Sequence, residues 1–158
     1  RRSGKRMNKQ EKCGYWLMLS DYDIGTIDTL IKGERWVYVA YLCQQAVERQ
    51  LKGMYVYFIE TEPPKTHNVN FLFSKITGSE AFRAQADMAL FEQRKNDCED
   101  FLMDVMFYYM SDYPFSYKNI ATRFVDSALA NELHQKTLLF VTWLRSFLPQ
   151  IDIPSIPS

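Results

Sequence analysis

The run Trp36-Val37-Tyr38-Val39-Ala40-Tyr41-Leu42-Cys43-Gln44-Gln45-Ala46-Val47-Glu48-Arg49-Gln50-Leu51-Lys52-Gly53-Met54-Tyr55-Val56-Tyr57-Phe58-Ile59-Glu60 decides the fold. Steps of three and four place Val37, Ala40, Gln44, Val47, Leu51, Met54 and Phe58 on one stripe of a long helix. A second stripe at the same spacing, Tyr41, Gln45, Glu48, Lys52, Tyr55 and Ile59, sets an amide, an acid and an amine among aromatic residues. Two readings of this face stand side by side. Glu48 and Lys52, at i and i+4, form a pair worth only about 0.2–0.5 kcal/mol on a solvated helix. Alternatively, the polar groups line a site.

Upstream, Tyr15 to Ile31 is predicted as the first helix, with Trp16, Leu19, Asp23, Ile27 and Leu30 on one face. Asp23 stands in that apolar row and requires a partner there. Gly33 is placed to end the helix in a left-handed conformation, and the short connection folds the second helix back as an antiparallel hairpin.

Downstream, Pro63 and Pro64 stop the central helix. Thr66 or Asn68 is suited to cap a short helix from Val69 to Ile76, and His67 stands at that entrance, where unpaired backbone N–H groups favour anions. Ser79 begins a predicted fourth helix from Glu80 to about Met110, whose second half carries more aromatic residues than one core stripe needs and so points to a second subunit. Ser111 to Tyr117 is an irregular connection around Pro114. The last helix is predicted from Asn119 to Phe147, before a proline-containing tail over 149–158. With no strand pattern, the class is all-α: an up-and-down antiparallel bundle of four to five helices in one domain over 7–148.

Composition agrees with a single domain of 158 residues able to bury a core without disulfides. Four of the basic residues lie in 1–6, read as an added leader ahead of Met7 as natural initiator. The remaining 15 Lys and Arg face 19 Asp and Glu, about −4 net, which disfavours unspecific nucleic-acid binding. Cys13, Cys43 and Cys98 are too scattered for a metal pattern, and the packing of Cys43 and Cys98 as small apolar residues of helical patterns suggests a reducing cytoplasm. No apolar run approaches the roughly 18 residues of a membrane span. No phosphate loop, zinc pattern or di-iron pair is present, so no cofactor, metal or catalytic residue is assigned.

Three segments together resemble the HEPN domain family (higher eukaryotes and prokaryotes nucleotide-binding): Trp16 to Leu30, Cys43-Gln44-Gln45-Ala46-Val47-Glu48-Arg49-Gln50-Leu51-Lys52-Gly53, and Pro63-Pro64-Lys65-Thr66-His67-Asn68-Val69 followed by Leu72. The resemblance implies a helical bundle of prokaryotic, toxin–antitoxin-like type that homodimerises, binds a nucleotide or assists a small nucleotidyltransferase. One branch of the family cleaves RNA through an arginine followed four to six residues later by histidine. That spacing is absent here: Arg123 precedes His134 by eleven residues, and Asp112-Tyr113-Pro114 stands where many relatives carry Arg-Tyr-Pro.

The expectation is therefore a non-catalytic binding module. Its ligand-binding candidates are Asp23, Gln44, Gln45, Glu48, Lys52, Tyr55 and His67. Gln44 or Gln45 would read a base edge, Lys52 would meet phosphate, and Tyr41 or Tyr55 would stack on a ring. RNA is the less favoured ligand. The alternatives are an RNase toxin using His67 or His134 as general acid/base, and a pure interaction scaffold whose polar face serves helix packing.

Overall fold

The computed structural model describes residues 6–109 and 125–156. Within them lie six helices and no strand: α1 (Lys9–Lys32), α2 (Trp36–Ile59), α3 (Val69–Thr77), α4 (Glu80–Gln85), α5 (Met88–Tyr109) and α6 (Ser127–Arg145). The connection expected at Ser111 to Tyr117, with its Asp112-Tyr113-Pro114, and the predicted helix start at Asn119 lie outside the described residues.

α1 begins six residues earlier than its apolar spacing predicts, because Asn8 caps it. The Asn8 side chain accepts from Glu11 N–H at 2.8 Å while the Glu11 carboxylate accepts from Asn8 N–H at 3.2 Å. Its other end departs from expectation too. Gly33 has φ −87°, and the left-handed residue is Glu34 at φ 56°. Glu34 and Arg35 donate back to Ile31 and Leu30, so the turn closes without needing glycine's freedom.

α1 and α2 form the most closely packed pair, as the short connection requires. α2 is the central helix. Ala40, Gln44, Val47, Leu51, Met54 and Phe58 of its first stripe are all buried, and Val39, Cys43, Ala46 and Val56 are buried as well. A helix covered on so many sides takes its stability from packing more than from propensity. α2 ends at Ile59, where Glu60 adopts the left-handed conformation and donates to the Val56 carbonyl. The prolines three and four residues beyond prevent continuation without themselves forming the cap. Asn68, not Thr66, caps α3, accepting from Phe71 N–H at 3.0 Å.

The single fourth helix expected from Glu80 is two. α4 stops at Gln85 and Ala86 is extended, after which Asp87 restarts the chain by accepting from Leu90 N–H at 3.2 Å. The break lets Phe82 and Phe91 turn toward the same centre, 5.4 Å apart and edge-on, with Phe147 and Trp143 completing an aromatic cluster.

α6 is tied to the hairpin by Arg145, which donates to Gln50 Oε1 at 2.8 Å and to Asp21 Oδ1 at 2.9 Å. The tail then runs without regular structure along α1. A Cβ on Gly14 would lie 2.3 Å from the Asp152 carbonyl oxygen, so only glycine admits the tail at that point. No helix among the described residues is long and apolar enough to cross a membrane.

Candidate functional site

The second stripe of α2 is where the polar groups meet, and it divides into two clusters. In the first, Asp23 from α1 is buried and accepts from Gln45 Nε2 at 3.2 Å and from Arg49 Nη1 at 3.1 Å. Burial pushes its carboxyl above the usual carboxylate range, and the Arg49 guanidinium, with the hydrogen bond from Gln45, pulls it partway back. The partner that Asp23 requires is thus supplied mainly by Arg49, a residue the spacing argument passed over.

Glu48 organises the second cluster. Its Oε2 accepts from Lys52 Nζ at 2.8 Å and its Oε1 lies 2.8 Å from His67 Nδ1. Both members of the Glu48–Lys52 pair are about 10 % exposed, so the i,i+4 pair is buried rather than solvated. A carboxylate accepting from an ammonium has no proton to donate, so His67 Nδ1 carries the hydrogen, and Nε2 is an acceptor in the neutral imidazole. The imidazole side chain is 70 % exposed and makes no other hydrogen bond among the described residues.

The His67 backbone is held as well, because its carbonyl accepts from Gln44 Nε2 at 2.8 Å. Gln44 Oε1 is buried without a partner among the described residues. Around this point the rings gather: His67 lies 5.7 Å from Tyr109, which stacks on Tyr41 at 4.9 Å.

The structure therefore brings Gln44, Glu48, Lys52 and His67 into one cluster and sets Asp23 and Gln45 in its neighbour. Tyr55 is half-buried against the core and joins neither. Lys52 is not a mobile charge. Its ammonium is taken by Glu48 and lies 5.8 Å from the centroid of the Trp16 ring. His134, the other histidine, is buried, with Nε2 3.8 Å from Asp28, too far for a hydrogen bond.

In the sequence Tyr109 is one of the surplus aromatic residues of the predicted fourth helix. Nothing local in the sequence links it to His67, since that contact depends on α5 crossing the end of the α2–α3 loop. Chemically, the arrangement offers one oriented imidazole, flanked by aromatic rings and buttressed by a buried acid. No group of three metal-binding side chains occurs among the described residues.

No curated protein and no solved structure matches the chain. The family model of the HEPN domain matches residues 14–146, a span that runs from within α1 through the end of α6 and holds both polar clusters. The chain belongs to the HEPN domain family.

Proposed function

We propose that this chain is a non-catalytic HEPN module that binds a nucleotide at the His67 face and works as a homodimer, as the helper subunit of a nucleotidyltransferase. The observation that carries the reading is the buried Glu48 holding Nδ1 of an otherwise exposed His67, so that Nε2 faces outward beside the Tyr109–Tyr41 stack. A base would lie against the rings and donate an amino hydrogen to Nε2. Lys52 supports the site through Glu48 and makes no phosphate contact of its own. Exposed Leu90 and Met103 on α5 and Leu139 on α6 leave apolar surface that supports a second copy.

ATP and GTP test the binding part. At about a hundredfold excess over Kd, a ligand stabilises by about 2.7 kcal/mol, which for a domain this size is a rise of about 5–10 °C in Tm. Wild-type protein is expected to show it and His67→Ala to lose it. Equal shifts in both proteins, or none, would remove the nucleotide from the account.

Two other readings each have an observation in their favour. The outward Nε2 is also the geometry of a general base, and cleavage of total RNA abolished by His67→Ala would make the protein an RNase. The sealed Glu48–Lys52 pair suits a scaffold, whose mark is full oligomer formation with no response to any nucleotide.

A further inference from the structure

At the open end of the α1–α2 hairpin, Met7, Tyr15, Trp16 and Leu19 wall a hollow of about 360 Å³ with Lys12 and Glu62 at its rim. That volume lies within the roughly 300–1,000 Å³ of small-molecule sites, and apolar walls with one or two polar groups are their usual composition. The Trp16 wall is fixed in advance. A Cβ on Gly53 would stand 2.9 Å from Trp16 Cβ, so the missing side chain is what lets the indole seat against α2.

Lys12 Nζ meets Glu62 Oε1 at 2.6 Å, yet the two side chains are 40 % and 73 % exposed. Such an exposed pair is weak, and another anion can replace its carboxylate. Beyond it lies a second, more polar hollow of about 380 Å³ that shares Met7, Lys12 and Glu62 and adds Lys9. The Lys12–Glu62 pair is therefore shared between an apolar hollow and a more polar one, in which Lys9 is itself paired with Glu60 at 3.5 Å.

We infer that the apolar hollow binds a small aromatic anion: a flat ring lies against Trp16, Tyr15 and Leu19, and one sulfonate, carboxylate or phosphate group takes the place of Glu62 on Lys12. Glu62 is then a competitor held within the protein, so removing it and removing Lys12 have opposite effects. This site shares Trp16 with the cover of Lys52 but does not include His67, and it does not depend on the nucleotide reading.

The probe is 1-anilinonaphthalene-8-sulfonate, with N-phenyl-1-naphthylamine as the same ring system lacking the charge. Fluorescence titration of the folded protein is expected to saturate at one site for the sulfonate. Glu62→Gln should tighten it and Lys12→Gln weaken it, each by about two- to fivefold, the range expected for an exposed charge pair. Lys12→Arg should retain it, and the neutral analogue should ignore all three substitutions. Circular dichroism confirms that each variant is folded. Absence of saturable binding, affinities that move together in Glu62→Gln and Lys12→Gln, or a neutral analogue that follows the sulfonate would each overturn the assignment.

Discussion

The imidazole of His67 meets the buried carboxylate of Glu48 through Nδ1 at 2.8 Å, although the two belong to different segments and only one is sealed from solvent. The same carboxylate neutralises Lys52, so Glu48→Gln would leave a buried ammonium without its counter-charge. The expected cost is about 3 kcal/mol in urea unfolding, largely recovered in the double variant Glu48→Gln/Lys52→Met, where no buried charge remains. Nitrogen-15 shifts of His67 should report the Nδ1–H tautomer in wild type and a mixture in Glu48→Gln. A single variant as stable as wild type would show that the pair is far better hydrated than its burial implies.

Asp23 predicts a pH dependence of unusual sign for an acid. Burial, offset only partly by Arg49, raises its folded carboxyl above the ordinary 3.8, so the folded state holds a proton that the unfolded chain has already released. Its contribution is fully present below the unfolded value and is lost as pH rises through the folded one. The unfolding free energy of wild type minus that of Asp23→Asn should fall as pH increases upward from 3.8. A rise over that window would mean that Arg49 outweighs burial.

Three glycines separate by what surrounds them. A Cβ at Gly53 meets Trp16 Cβ at 2.9 Å and the Cys13 carbonyl at 3.2 Å, so Gly53→Ala overpacks the hairpin and should cost about 1–3 kcal/mol. At Gly25 no atom lies within 4 Å, and in mid-helix Gly25→Ala should gain about 0.5–1 kcal/mol. Gly14→Ala should instead release the tail, seen as faster proteolysis after residue 148 with the helical signal retained. Thermal denaturation and limited proteolysis separate the three outcomes.

Burial pushes the thiol of Cys13 up to about 12 and those of Cys43 and Cys98 up to about 11, against partial relief from Arg145, Thr137 and Arg94 respectively. The thiolate is the reactive form, so all three cysteines should resist dithiobis-nitrobenzoate in the native state at pH 8 and react together on unfolding. Rapid labelling of one native thiol would reveal local opening around it.

Spacing made the fold class and the central helix legible, because the stripe of Ala40, Val47, Leu51 and Met54 records which side of α2 is covered. Two boundaries escaped it for local reasons. Asp87 acts as a cap within a run of good helix formers, and its side chain breaks a segment whose composition reads as continuous. Glu34 takes the left-handed position next to a glycine that the usual preference would select. At the candidate site, spacing made the Glu48–Lys52 pairing visible but not its burial. What seals that pair is Trp16 from α1 and the His67 loop, and helical periodicity describes neighbours along one helix, not what is laid across it.

Arg145 joins Gln50 to Asp21 across 124 residues of chain, and that separation bears on how the protein is made. During translation at about 5–20 residues per second, Asp21 is made roughly 6–25 seconds before its partner exists. Throughout that interval the part of α2 that α6 covers stays open and the last clasp of the hairpin is unmade, so the domain closes only when its final helix is complete.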